Sequence, residues 1–182
     1  DKASLIIFTE TEPTILVIDK HNNDTQYWID DFLHVRQRKD EYYNTQNVLS
    51  LCKNFVTKEL PQQFEVSKAD QANLLNKSVK FFKEKETFNI DEFTNEVITQ
   101  PEVINSFYSY KSEYQKDHDV EIADSFAISD NAVKKQSRIL KSVIKLDKNF
   151  HIYVHGNNQY IKKGYDEETG LYYYQLFFKE EL

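Results

Sequence analysis

Glycine and proline are scarce in this chain of 182 residues, which contains three of each. A content this low disfavours collagen-like arrays, flexible linkers and all-β sandwiches. The three glycines are Gly156, Gly164 and Gly170, and their spacing fits neither G-x-G-x-x-G nor G-x-x-x-x-G-K. Because both phosphate-binding loops need glycines where the backbone approaches the ligand, they are excluded here. No serine lies in a G-x-S-x-G turn, which excludes the nucleophile elbow.

Methionine is absent and cysteine occurs once. Because the chain begins with Asp1-Lys2 and not with methionine, we expect it to be a fragment of a longer protein or a processed chain. Cys52 cannot form an internal disulfide, which fits a reducing cytoplasm, and its amphipathic surroundings predict a buried small side chain. No apolar run approaches the roughly 20 residues of a membrane-spanning helix, so we expect no membrane partner.

Thirty acidic residues against 23 basic ones give the chain a net charge of -7. Such a charge keeps a protein in solution but repels phosphate backbones. A nucleic-acid-binding role therefore needs a local basic patch or a part of the protein outside this chain. Apolar residues make up 40% and aromatic residues 14%, which is enough to form a core and argues against disorder.

The apolar periodicity changes twice along the chain. Period-two or β-branched runs predict strands at residues 5–8, 15–18, 125–128, 140–146, 150–154 and 171–178. Between residues 27 and 114, apolar side chains recur at three and four, which predicts helices, with capping residues at Ser67 and Asn89. One further helix is predicted from Ser129 or Asp130 to about Arg138.

These elements predict an α+β fold. We expect an antiparallel sheet built from both chain ends, residues 4–19 and 140–178, with a central helical insertion. As a domain, residues 1–182 would form a single α+β unit with two lobes. The predicted sheet lobe is residues 1–20 and 120–182, and the predicted helical lobe is residues 26–116.

Candidate metal ligands and catalytic carboxylates do not converge in the sequence. His151 and His155 share one strand face about 13 Å apart, too far to hold one ion. The loop Asp117-His118-Asp119 is denser in ligands but has no second cluster to complete a site. Adjacent acids such as Asp30-Asp31 diverge by about 100° in a helix and do not form an acid–base pair. We expect no catalytic residue, no metal, no cofactor and no small-molecule substrate, and hence no enzyme.

One cationic segment stands out against the acidic balance. Residues 131–146 contain no acidic residue and five basic ones: Lys134, Lys135, Arg138, Lys141 and Lys145. We expect the first three on one face of a helix and the last two on one face of the following strand. Such a strip can contact phosphates. The alternative is a solvated surface whose cations pair with acids elsewhere.

Aromatic residues cover both faces of the last predicted strand, in Tyr172-Tyr173-Tyr174 and Phe177-Phe178. Three interpretations are open. The strand is a central one whose two faces are both buried, or one of its faces binds a protein partner, or its rings stack on nucleic-acid bases. Base-stacking surfaces need a basic groove, whereas the flanking residues are Glu167, Glu168, Glu180 and Glu181. We therefore favour a core strand or a protein interface.

Six stretches of the sequence are each only modest evidence for a protein family, but their order and spacing together are fairly specific. They are Tyr27-Trp28-Ile29-Asp30-Asp31-Phe32-Leu33; Asn76-Lys77-Ser78-Val79-Lys80-Phe81-Phe82; Asp91-Glu92-Phe93 with Glu96-Val97-Ile98; Phe107 with Tyr110-Lys111; Ser142-Val143-Ile144-Lys145-Leu146-Asp147; and Lys163-Gly164-Tyr165-Asp166-Glu167-Glu168 running into Leu171-Tyr172-Tyr173-Tyr174. Together they resemble the C-terminal half of the bacterial nucleoid-associated protein family of the NdpA type. The resemblance covers nearly the whole chain.

The resemblance implies a cytoplasmic bacterial protein located at the nucleoid, DNA association in at least some members, and a missing N-terminal half. It supplies no catalytic or base-reading residues. One hypothesis is a nucleoid-associated protein linked weakly and non-specifically to double-stranded DNA, with the five cations as contacts. The alternative is a protein-interaction or oligomerisation module, such as a homo-oligomer, that reaches the nucleoid through its other half or a partner.

Overall fold

The structure is a computed structural model that describes residues 2–8, 10, 13–19, 27–36, 38–138, 140, 143–154 and 158–181. The chain divides into two compact units, residues 1–39 and residues 40–182. The predicted arrangement of one domain with a sheet lobe and a helical lobe stays a prediction.

The first unit opens with a β-hairpin. Strands β1 (Lys2–Ile7) and β2 (Thr14–Asp19) pair antiparallel, with Leu5 opposite Leu16, and they contain most of residues 5–8 and 15–18 that were predicted as strands. A π-helical turn follows at Tyr27–Phe32, where the rings of Trp28 and Phe32 stack with centroids 4.4 Å apart.

The second unit carries the helices. They are α1 (Glu41–Asn54), α2 (Leu60–Gln63), α3 (Lys68–Glu84), α4 (Ile90–Phe93), α5 (Pro101–Asp117) and α6 (Asp130–Ser137). Shorter helical turns lie at Phe55–Glu59, Thr94–Ile98 and Asn158–Tyr160. The predicted capping segment at Ser67 is confirmed, because its hydroxyl accepts a hydrogen bond from the Asp70 amide while Asp70 accepts one from the Ser67 amide. Pro101 occupies the first turn of α5, where its missing N–H has no cost.

The described residues of the second unit also form three antiparallel strand pairs. The strands are β3 (Thr87–Asn89), β4 (Ser125–Ala127), β5 (Val143–Leu146), β6 (Phe150–Tyr153), β7 (Ile161–Asp166) and β8 (Leu171–Leu176). β3 pairs with β4, β5 with β6, and β7 with β8. The sequence predicted neither β3 nor β7. β3 is three residues long with one inward side chain, which is too short to show an alternating pattern.

The α+β class and the antiparallel pairing are confirmed, but the prediction that both chain ends share one sheet is wrong. In the described part of the chain, β1 pairs with β2, and the strands after residue 140 pair within their own hairpins. Short turns close those hairpins at residues 147–149 and 167–170. An alternating pattern determines which face of a strand is apolar, but it does not determine the neighbouring strand.

The core of the second unit is centred on Phe88. Its ring is fully buried and stacks between Phe82 and Phe126, with centroid distances of 5.2 and 4.9 Å. Phe93 packs beside it at 5.6 Å. Cys52 lies in the same core and is buried as predicted, and burial raises the pKa of its thiol. Cys52 therefore acts as a small apolar side chain.

A second, smaller cluster attaches the C-terminal hairpins to α3. Ala69 and Ala72 of α3 pack with Ile144 of β5 and Val154, and Ile161 and Tyr174 cover them from the β7–β8 hairpin. The Asn76 side-chain amide donates a hydrogen bond to the Val154 carbonyl at 2.9 Å. Both C-terminal hairpins are thus fixed to one helix.

We expect Phe88→Ala to lower the free energy of unfolding by about 3–5 kcal/mol, because the cavity would lie inside the aromatic stack. Urea unfolding followed by circular dichroism measures this loss. Phe8→Ala is the control, since the Phe8 side chain is 82% exposed and its removal should change little. Equal effects of the two substitutions would contradict the placement of Phe88 at the centre of the core.

Candidate nucleic-acid interface

Helix α6 has one buried face and one cationic face. Ala132, Val133 and Gln136 are buried. Lys134 and Lys135 are exposed in its last turn, and Arg138 is exposed at the C-cap position. The structure therefore brings three of the five predicted contact residues to the solvent side at one end of one helix.

The remaining two predicted residues lie beyond this helix. Lys145 is exposed on β5, where it pairs across the hairpin with His151. Lys141 lies outside the described residues, as does His155. We call Lys134, Lys135 and Arg138 the α6 cation cluster, and the structure does not place Lys145 in it.

The start of α6 is held by a side chain that sequence reasoning missed. Thr45 in α1 is fully buried, and its hydroxyl oxygen accepts a hydrogen bond from the Ser129 amide at 3.0 Å. The Lys135 ammonium lies 5.9 Å from the centre of the Tyr42 ring, which is also on α1. Neither role has a sequence signal, because Thr45 and Ser129 are 84 residues apart.

Two lysines elsewhere in the second unit, Lys80 and Lys85, have carboxylates beside them. Lys85 forms salt bridges with Glu92 at 2.5 Å and Glu96 at 3.0 Å, and hydrogen bonding to Glu92 and then Glu96 raises the pKa of Lys85. Lys80 lies 3.8 Å from Glu84. Within the described ranges, no salt bridge engages Lys134, Lys135, Arg138 or Lys145. These four cations therefore differ from Lys80 and Lys85, which face carboxylates.

The two ends of α6 differ in charge. Beside its first turn lies an open groove of about 530 Å³ with Asp130 in its wall. The charged residues lining this groove are Glu41, Glu84, Glu86, Asp130, Lys83 and Lys85. Four carboxylates against two lysines repel a polyanion, whereas the other end of α6 attracts one. A phosphate backbone would therefore approach from the C-terminal end of the helix.

The cation cluster also has a purely structural explanation. Cations in the last turn of a helix interact favourably with the helix dipole, by about 0.3–1 kcal/mol each at an exposed site. Lys134 and Lys135 lie in that turn. Their position alone therefore does not distinguish a binding surface from a solvated helix end, and the predicted role in DNA contact stays a prediction.

His118, in the Asp117-His118-Asp119 loop whose sequence is dense in possible metal ligands, packs against a neighbouring ring. The His118 ring stacks on Tyr114 with centroids 4.0 Å apart, and its Nδ1 lies 3.0 Å from the Tyr114 carbonyl oxygen. Among the residues that the structure describes, no group of three or more His, Cys, Asp or Glu could hold a metal ion.

In that same part of the chain, none of the helices has the length and apolar character that a membrane span requires.

The aromatic strand is not a central one. Tyr172 and Phe178 are 70% and 77% exposed, and Leu171 and Tyr173 are also exposed, so the core interpretation is wrong for most of β8. Tyr174 is the exception, because it packs on the smaller apolar cluster. The sequence pattern could not separate core from surface here, since an interface strand and a central strand are equally apolar.

Residues 1–172 match the protein family described as nucleoid-associated protein YejK. The match covers the first compact unit and nearly all of the second, including α6. No curated protein and no solved structure shows significant similarity to the chain.

The hydrogen bond between Thr45 and Ser129 gives a test of how α6 is held. We expect Thr45→Val to lower the free energy of unfolding by about 1–3 kcal/mol, because it leaves the Ser129 amide without its acceptor. Hydrogen exchange should also quicken at the amides of α6. Thr57→Val is the matched control, since the Thr57 hydroxyl donates its hydrogen bond locally, to the Lys53 carbonyl one helical turn earlier. If Thr45→Val unfolds at the same urea concentration as Thr57→Val, the hydrogen bond from the Ser129 amide to the Thr45 hydroxyl does not stabilise the attachment of α6.

Proposed function

The chain belongs to the family of nucleoid-associated protein YejK, and from this premise we propose that it contacts double-stranded DNA through the α6 cation cluster. The nucleoid-associated role rests on the family match, which confirms the resemblance indicated by the sequence. The DNA contact rests on one observation: three exposed cations at the acid-free end of α6 have no salt-bridge partner in the described residues.

The contact is expected to be to phosphates, without sequence preference. Lysine ammonium groups are point charges that neutralise phosphates but do not read base edges, and Arg138 is the one guanidinium of the α6 cation cluster. Each neutralised phosphate releases counterions and contributes about -0.9 to the slope of log K against log salt. Three or four contacts, depending on Lys145, therefore give a slope of roughly -3 to -4.

Two features keep the expected affinity low. The net charge of -7 repels the duplex as a whole. The C-terminal end of a helix carries about half a negative charge, which opposes phosphate binding and partly offsets the cations. A dissociation constant of about 10⁻⁴ to 10⁻⁶ M at physiological salt follows, as for other non-specific contacts.

The proposed location is the nucleoid in the bacterial cytoplasm, and the proposed role is binding rather than catalysis. Nucleoid association describes where the family acts and names no reaction. A second candidate function is a protein-interaction or oligomerisation module that reaches the nucleoid through another part of the protein or a partner. The exposed aromatic residues of β8 favour this alternative.

A charge-reversed variant tests the DNA contact. We expect Lys134→Glu with Lys135→Glu and Arg138→Glu to abolish retention on duplex DNA, because phosphates would then face three carboxylates. Fluorescence anisotropy with a labelled duplex, repeated over a series of salt concentrations, measures both affinity and slope. Replacing the same residues singly by glutamine should lower the magnitude of the slope by about one unit per lost cation.

The control must carry the same change in net charge. Lys77→Glu with Lys83→Glu and Lys116→Glu also reverses three exposed cations, but on α3 and α5. This variant should retain most of the binding, with only the weakening that a more negative chain produces. If the α6 variant binds as well as the parent, the cluster is a solvated helix end and the interaction module is the better function. If both variants lose binding equally, net charge rather than α6 governs the contact.

A further inference from the structure

The β7–β8 hairpin has two chemically different faces, which follow from its register. Residues directly opposite each other in an antiparallel pair lie on the same face, and successive residues alternate between faces. The inner face is formed by the pairs Ile161 with Leu176, Lys163 with Tyr174, and Tyr165 with Tyr172. The outer face is formed by the pairs Lys162 with Gln175, Gly164 with Tyr173, and Asp166 with Leu171.

The inner face is partly covered within the chain, although Tyr165, Tyr172 and Leu176 on it remain more than half exposed. Ile161 and Tyr174 pack on the small apolar cluster of α3, β5 and Val154. Nearer the turn, the rings of Tyr165 and Tyr172 lie 4.9 Å apart, and the Lys163 ammonium is 4.4 Å from the centre of the Tyr172 ring. The tyrosines that project beyond the cluster therefore contact each other and a neighbouring lysine.

The outer face is apolar but exposed. Leu171 is 65% exposed, and Tyr173 and Phe177 are close to half exposed. Phe177 belongs to this face because its amide donates a hydrogen bond to the Tyr160 carbonyl at 2.9 Å, which continues the pairing beyond β8. Tyr160, also about half exposed, is its partner there. Four large apolar side chains thus share one open face of a two-stranded sheet, an arrangement with little stability in water unless the face is covered.

The centre of the outer face is flat and closely packed. The ring of Tyr173 lies directly on Gly164 of the opposite strand and leaves no room for a Cβ atom there. A glycine at this position lets the ring lie against the backbone instead of standing away from the sheet. A flat aromatic centre suits face-to-face packing against a second sheet, which stacks at about 10 Å.

The charges at the two ends of the face indicate what covers it. Lys162 lies at one end, and its ammonium is 5.4 Å from the centre of the Phe177 ring. Glu167 and Glu168 lie in the turn at the other end, about 13 Å or more along the strand. A surface with a positive end, an apolar centre and a negative end is complementary to itself under a two-fold rotation about its centre. A nucleic acid would meet the acidic turn without compensation, whereas a second copy would place Lys162 against it.

We propose that the outer face of the β7–β8 hairpin binds the same face of a second copy of this chain, with the two-fold axis near Tyr173. Because an aromatic side chain buries about 150–250 Å² when fully covered, four half-exposed apolar residues contribute on the order of 400 Å² per copy. With the charged ends, the interface falls at the small end of specific protein interfaces, so the dimer dissociates in the micromolar range. The proposal does not rest on DNA binding, although a dimer would double the number of α6 cation clusters and add avidity.

Sedimentation velocity over a concentration series from about 1 µM upward tests the proposal, since a dimer of this size should dissociate within that range. The parent chain should show a reversible monomer–dimer equilibrium. Leu171 lies on the outer face, at the end that would meet Lys162 of the second copy. Leu171→Lys would place two like charges together there, so we expect it to raise the dissociation constant of the dimer at least about tenfold. Tyr172→Lys is the matched control, because Tyr172 is the next residue, is similarly exposed and lies on the inner face. It should leave the dimer unchanged.

A charge exchange separates loss of the interface from loss of the fold. Lys162→Glu alone, and Glu167→Lys with Glu168→Lys, should each weaken the dimer, whereas the three substitutions together should restore it. A misfolded hairpin would not regain dimerisation in this way. A parent chain that stays monomeric, equal effects of Leu171→Lys and Tyr172→Lys, or no restoration in the triple variant would each overturn the proposal. A monomer that binds a single-stranded oligonucleotide, and loses it in Tyr173→Glu, would show nucleic acid to be the occupant.

Discussion

The stacking of Phe88 on Phe126 is the interaction on which the second unit depends. It joins β3 to β4, two strands that α5 separates in the sequence. The buried Phe82 of α3 packs on the other side of Phe88. Burial of a side chain this large stabilises by about 1.5–3 kcal/mol, and the two strand ends are held further by backbone hydrogen bonds from Ile90 to Asp124 and from Ile128 to Glu86. The chain leaves β4 directly into α6, so the position of that helix follows from the aromatic stack.

The candidate site combines this rigid support with an unusual local charge. On its buried side, α6 is attached to α1 through the Thr45 hydroxyl, and on its exposed side it presents the α6 cation cluster. Most charges of the chain oppose contact with a phosphate backbone, so binding depends on where the cations are and not on their total. Lys80 and Lys85 show the contrast, because carboxylates lie within 4 Å of them.

Local signals in the sequence were sufficient for several local features. The caps at Ser67 and Asn89 and the extent of α6 all depend on residues within a few positions of each other, and the structure agrees with them. Long-range partners had no such signal. The pairing of β3 with β4 and the anchoring role of Thr45 join residues far apart in the chain, and the aromatic pattern of β8 is equally compatible with a core and with an interface.

The central claim is that DNA meets the chain at the C-terminal end of α6. Amide chemical-shift perturbation in the labelled chain, titrated with a short duplex at low salt, measures this contact directly. We expect the largest shifts at residues 131–138, with a smaller effect at Lys145, and recovery of the free spectrum as salt is added. Shifts concentrated in the β7–β8 hairpin, or a spectrum unchanged by duplex at millimolar concentration, would contradict the account.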